Sequence, residues 1–370
     1  MSGKVCARSV VLIFSTSLFY LLLIAPEAFT KQSGTNSVQP SKNLFIPSAE
    51  GFHEDFKSLT LESSTLRPQT PVVLEKTDIL DGKYVRERIQ VGWRPKDAFD
   101  LYVTRPKDAK KPPVVLFLYS FPENAKRFQS EQWYGAGAAK DGYAVVGFVS
   151  AITAERVERR PPDETFLKLL PEALASSVHD VQMILNYLDS RGDLDVERVG
   201  MFATGSGATI AILASAADPR IKALDVFNPW GDWPVWTAKS WAIPEEERGD
   251  LTTNRYLDPK FLEVIAPLDP IRWVASVKAQ SIRIQYVRSE ATAPVETTRK
   301  IAEAAPERAE INEFNDYRVW MSVEHGPEMF GWLRQELQPD AKPKVLAGKS
   351  KQVHFFSGEA KTSEPAASRP

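Results

Sequence analysis

Arg198-Val199-Gly200-Met201-Phe202-Ala203-Thr204-Gly205-Ser206-Gly207-Ala208-Thr209-Ile210-Ala211 carries an apolar strand straight into a helix through a turn of small residues. Arg198–Ala203 reads as strand and Ala208–Ala217 as helix. A turn this sharp holds its central residue in a strained backbone conformation. The residues two before and two after the centre must be small for strand and helix to approach. Ala203 and Gly207 meet that demand around Gly205.

The segment resembles the nucleophile elbow of the α/β-hydrolase superfamily, whose pattern is G-x-S-x-G. Two registers compete. In one, Gly205 stands where the serine belongs and Ser206 supplies a backbone N–H to the oxyanion hole. In the other, Ser206 is the nucleophile, flanked two residues away by Thr204 and Ala208. The resemblance favours the first. The superfamily's strand commonly opens Arg-Ile/Val-Gly and reaches its serine on the eighth residue, which from Arg198 is Gly205. The following helix commonly reads Gly-Gly-Ala-Ile-Ala, and Gly207–Ala211 fits the same register. Glycine accepts strained geometry at little cost, so the fold survives while the side chain that would attack a carbonyl is gone.

Working outward, strands alternate with helices. Tyr84–Gln90 and Phe99–Thr104 read as a strand pair. Val114–Tyr119 and Tyr143–Val149 are apolar throughout, as suits strands buried on both faces. Trp133–Asp141 and Leu174–Asp189 read as helices. Leu224–Phe227, Ile282–Val287 and Arg318–Val323 read as the later strands, before a helix over Met329–Leu337. The expected class is α/β: a mostly parallel, doubly wound sheet with helices on both faces. An insertion at about 228–266 would form a small cap. It holds Trp230, Trp233, Trp236 and Trp241, four of the nine tryptophans. With Tyr119, the first three would either line an apolar pocket for a small-molecule ligand or form the cap's own core. Glu245–Arg248 reads as the cap's solvated face.

The resemblance implies further site residues in the order nucleophile, acid, histidine. Ser281–Pro294 resembles the late strand and acid loop of dienelactone-hydrolase-like and prolyl-oligopeptidase-like members. Their acid lies four residues before a Val-Pro, and counting back from Pro294 gives Glu290, with Asp232 a weaker rival. His325-Gly326, before the last helix, stands where the family places its base. Imidazole titrates near neutrality and suits that task. Asp180–Leu188 and Pro267–Pro270 also resemble family segments. After Val114–Leu118 the superfamily often reads His-Gly-Phe-Pro-Glu, and here the sequence is Tyr119-Ser120-Phe121-Pro122-Glu123. Phe121 is placed to offer the second oxyanion N–H. His179 reads as structural. The resemblance thus implies a degenerate serine hydrolase binding an apolar or ester-like molecule. The alternatives are an active esterase or peptidase using Ser206, His325 and Glu290, and a non-catalytic scaffold.

The 370-residue chain is 43% hydrophobic and 25% charged with a net charge of -2, which offers no electrostatic case for nucleic acid. No metal or nucleotide motif occurs, and no cofactor is expected. Lys4 and Arg8 precede an apolar run, Val10–Ile24, followed by Ala25-Pro26-Glu27-Ala28. That order predicts a secretory signal over residues 1–28, with export to the periplasm or cell exterior. Left uncleaved, it would be the only membrane anchor. The single cysteine, Cys6, precedes this run. Residues 29–70 read as a linker with a short docking helix around Ala49–Leu61 and a surface His53. The hydrolase-like domain spans 71–337, and the Lys-, Pro- and Ser-rich stretch 338–370, with His354, reads as a disordered tail.

Overall fold

Val114–Leu118 alternates between two hydrophobic cores. Val114, Leu116 and Leu118 face one, while Val115 and Phe117 face the other. Such a strand belongs in the middle of a sheet covered on both sides. The computed structural model describes residues 48–66, 71–79, 81–123, 125–130, 142–153, 156, 165–248, 259–324, 331–337 and 352–356. The signal segment, the expected helix Trp133–Asp141 and His325 lie outside the described residues.

The strands are β1 (Val72–Ile79), β2 (Tyr84–Val91), β3 (Phe99–Pro106), β4 (Pro113–Leu118), β5 (Ala144–Phe148), β6 (Asp195–Thr204), β7 (Ile221–Phe227), β8 (Ser281–Val287), β9 (Glu310–Phe314) and β10 (Gln352–Phe356). They form one sheet in the order β1-β2-β3-β5-β4-β6-β7-β8-β9-β10. Pairing is antiparallel from β1 through β3 to β5 and parallel from β5 onward. The helices are α1 (Lys126–Ser130), α2 (Phe166–Arg191), α3 (Gly205–Ala217), α4 (Trp233–Lys239), α5 (Glu245–Arg248), α6 (Pro259–Ile265), α7 (Pro270–Trp273), α8 (Val295–Ala304), α9 (Tyr317–Glu324) and α10 (Gly331–Glu336). Residues of α2, α3 and α8 build the first core, and residues of α1, α9 and α10 the second. The architecture is α/β and mostly parallel. Gly200 faces the second core, where a Cβ would come within 2.9 Å of Leu337.

Several stretches differ from the sequence reading. Arg318–Val323 is not a strand but most of α9. Its start is fixed by Asp316, whose carboxylate accepts the N–H groups of Arg318 and Val319 at 2.8 and 3.1 Å, an N-cap arrangement. The strand is instead Glu310–Phe314, masked in the sequence by buried Asn312 and Glu313. Glu313 accepts a hydrogen bond from the Tyr286 hydroxyl at 2.8 Å and pairs with Arg288. Ala49–Leu61 forms turns, not a helix, because side chains compete for the backbone. The Ser64 hydroxyl accepts from Asp55 N–H at 3.0 Å, the Asp55 carboxylate from Lys57 N–H at 3.0 Å, and the Ser58 hydroxyl from Thr60 N–H at 3.1 Å. Within the expected tail, β10 adds a strand beside β9, with Val353 and Phe355 exposed.

The N-terminal turns join the domain through a buried polar cluster. Glu54 forms a double hydrogen bond with Arg94, at 2.5 and 2.6 Å, and accepts or shares a proton with His179 Nδ1 at 2.7 Å. His179 Nε2 lies 2.9 Å from the Ser58 carbonyl. Arg94 also pairs with Asp180, which accepts the Trp93 indole N–H at 2.7 Å and Arg156 at 2.7 Å. Burial by itself would push the Asp180 carboxyl up, but the Arg94 and Arg156 guanidiniums outweigh it and hold the group below its usual range. The folded value lies below the unfolded one. The stabilisation is therefore complete above about pH 4 and is lost as pH falls through the folded value. Asp180→Asn leaves two buried guanidiniums undercompensated and is expected to cost about 3–5 kcal/mol. Urea denaturation at pH 7 checks the cost, and acid titration should show a flatter loss of stability in the variant.

Candidate functional site

The turn between β6 and α3 is built on one left-handed residue, Gly205, at φ 54°. Thr204 before it is extended and Ser206 after it is already in α3. The strand–helix approach is close: a Cβ on Gly207 would stand 2.7 Å from the carbonyl oxygens of Leu118 and Tyr119. The loop after β4 therefore runs directly beside the start of α3, and the hydrogen bonds across this seam define the site.

Ser120 donates its N–H to the Thr204 hydroxyl at 3.1 Å. Its own hydroxyl accepts the Ser206 N–H at 3.2 Å. The Phe121 N–H, in turn, donates to the Ser206 hydroxyl at 2.9 Å. Both backbone N–H groups that the sequence assigns to an oxyanion hole thus meet serine hydroxyls of the chain itself. Ser206 is completely buried, whereas Ser120 is half-buried. A Cβ built on Gly205 would lie 2.1 Å from Ser120 Oγ, 2.5 Å from Ser120 Cβ and 3.4 Å from Trp230 Nε1. Ser120 fills the space that an elbow side chain needs. Sequence reasoning named Ser120 only as a departure from His-Gly. The signal that identifies it is the paired change, a larger residue at 120 facing a smaller one at 205.

The tryptophans stand behind the elbow. Trp230, Trp233 and Trp236 are buried in the first core, with ring centroids 4.8 Å apart for Trp230–Trp236 and 5.6 Å for Trp233–Trp236. Of the two roles open to them, wall and core, they occupy core positions, while Trp241 is exposed. The Trp230 and Trp233 indole N–H groups have no hydrogen-bond partner among the described residues. Tyr119 is half-buried, its ring 4.6 Å from Phe117 and 5.2 Å from Phe128. In the cap, Glu247 is not merely solvated: it accepts the N–H groups of Phe166 and Leu167 at 2.5 and 3.1 Å, at the positive end of α2.

Glu290 follows β8. One carboxylate oxygen accepts both the N–H and the hydroxyl of Thr292, at 2.8 and 2.7 Å. The Thr292 carbonyl accepts the Trp236 indole N–H at 3.0 Å, so acid loop and tryptophan cluster are linked. Burial, then the charge of Glu290, push the Tyr317 phenol up to about 12. Asp232 instead pairs with Lys300. Among the described residues no cluster of metal-ligating side chains occurs, and no helix is long and apolar enough to cross a membrane.

The chain has the α/β-hydrolase fold, as its similarity to solved structures shows. It resembles the acetyl xylan esterase from Paenibacillus sp. R4, with TM-score 0.55 and 16% identity over 68% of this chain and 84% of that one. It also resembles acetyl xylan esterase 1 from Thermoanaerobacterium sp. JW/SL YS485, with TM-score 0.56 and 13% identity over 74% and 90% of the two chains. A third similar structure is an S-formylglutathione hydrolase from Agrobacterium tumefaciens, with TM-score 0.52 and 13% identity over 72% and 99%. No protein-family model and no curated protein matches the sequence.

Two outcomes follow from this geometry. Gly205→Ser places a side chain at positive φ, costing about 1–2 kcal/mol, and drives it into Ser120. We expect a total loss of about 2–4 kcal/mol in urea denaturation, and Ser120→Gly in the same chain should recover the contact part. A double-mutant cycle measures that coupling. Separately, Glu290→Gln should lower the Tyr317 pKa. Tyrosinate absorbance, differenced against the same chain with Tyr317→Phe, reads the shift.

Proposed function

We propose that this α/β-hydrolase-fold protein does not use Gly205 or Ser206 as a nucleophile and that it holds a small ester-like molecule at the elbow. The observation that supports this best is the Ser120 side chain in the space of an elbow side chain, 2.1 Å from where its Cβ would be. Ser206 would have to release the Phe121 N–H and reach substrate from a wholly buried position. Hydrolysis through either residue is therefore disfavoured by packing as well as by composition. The buried Trp230 indole N–H beside the elbow, without an acceptor among the described residues, favours a ligand-holding role over a scaffold that uses only its surface. A buried donor without an acceptor costs about 1–3 kcal/mol, and a ligand oxygen would relieve that cost. We also propose export, on the charged, apolar and small-residue order of residues 1–28. Cell fractionation and the mass of the mature N-terminus test it.

Gly205→Ser alone should show no catalytic turnover of p-nitrophenyl acetate through residue 205, because the new side chain meets Ser120. Combined with Ser120→Gly, it should gain ester hydrolysis of about a hundredfold or more over either single variant, the scale of a restored nucleophile with its base. A wild-type adduct of a fluorophosphonate mapped to Ser206, or full activity from Gly205→Ser alone, would sink this reading.

A further inference from the structure

The elbow holds two serine hydroxyls, and they differ in what they can reach. Ser206 is wholly buried, whereas Ser120 is half-buried. The Ser120 oxygen lies 2.1 Å from the Cβ position of the elbow residue. An elbow serine would carry its own oxygen about 1.4 Å from that Cβ, so Ser120 presents a hydroxyl in the neighbourhood where the fold presents its nucleophile. It arrives from the other side of the seam, on the loop after β4.

Its surroundings favour the alkoxide. The oxygen accepts the Ser206 N–H at 3.2 Å, in the first turn of the 13-residue α3. The partial positive charge of a helix start stabilises an anion there. Among the described residues the Ser120 hydroxyl has no acceptor for its proton. Independently, the fully buried Trp230 Nε1–H stands 3.4 Å from the same Cβ position with no partner among the described residues. A donor fixed in a buried position beside the site is what a developing oxyanion requires.

We infer that Ser120 is the reactive hydroxyl of this site, a nucleophile supplied by the loop after β4, and that it accepts the acyl group of a carboxylic ester. This rests on the reading that neither Gly205 nor Ser206 attacks. In the step, a bond forms between Ser120 Oγ and the acyl carbon. The bond from that carbon to the alcohol oxygen breaks, the electron pair leaves on that oxygen, and the serine proton ends on it through solvent. With a fluorophosphonate the Oγ–P bond forms, the P–F bond breaks, and fluoride and the proton pass to water.

The test is intact-mass and peptide-mapping analysis of the full chain after exposure to a small alkyl fluorophosphonate and, separately, to p-nitrophenyl acetate. The expected result is one adduct per chain, mapped to Ser120, with a rate at least about tenfold above that of the urea-unfolded chain, a difference of about 1.4 kcal/mol in barrier. Ser120→Ala should abolish it, and mapping on the wild type keeps the test decisive should that variant fold poorly. An unmodified wild-type chain, or one modified no faster folded than unfolded, overturns the assignment of Ser120 and leaves the proposed function standing. An adduct on Ser206 overturns both.

Discussion

The close approach of α3 to the end of β4 is the constraint on which the site depends. Gly207 has no room for a Cβ against the carbonyls of Leu118 and Tyr119, and Gly205 turns the chain at positive φ. β4 and β6 are neighbours in register, Leu118 opposite Ala203, so the residues that follow each strand must meet. Residues 119–121 and 204–206 are therefore one structural unit, although more than eighty positions separate Ser120 from Ser206. Side chains in this seam share one fixed volume.

That shared volume explains why the elbow was legible in the sequence and its contents were not. Strand, turn and helix announce themselves locally, through the apolar run to Ala203, the small residues around Gly205 and the periodic helix beyond. β4 and β5 were equally plain, having no polar side chain along their length. β9 was not: its buried Glu313 is satisfied by Tyr286 and Arg288 on the neighbouring strand and its following turn. Such compensation is tertiary, and no local pattern contains it. The turns at Ala49–Leu61 were obscured for a related reason, since Glu54 finds its partners in Arg94 and His179, far along the chain.

The two departures at the centre, Ser120 for Gly and Gly205 for Ser, look in sequence like two separate losses. In three dimensions residues 120 and 205 share one space. A serine at 120 could not coexist with a serine at 205, because the second side chain would begin 2.1 Å from the first one's oxygen and 2.5 Å from its Cβ. Contacts under 3 Å involving a Cβ and backbone-anchored atoms cannot be relieved by a rotamer change alone. The packed state holds one hydroxyl in that space.

A shared space has a different chemical meaning from a loss. Deleting the elbow side chain alone would leave a void and orphan the Ser206 N–H at the head of α3, whose first N–H groups lack intrahelical partners. Ser120 removes both penalties, filling the void and accepting that N–H. The same hydrogen bond that stabilises the packed elbow also places an oxygen at the helix start, beside the unpartnered indole of Trp230. Stability alone would be served as well by a side chain that left no donor wanting. The Trp230 indole, without a partner among the described residues like that of Trp233, is the feature of the elbow that the proposed binding of an oxygen-bearing molecule would satisfy.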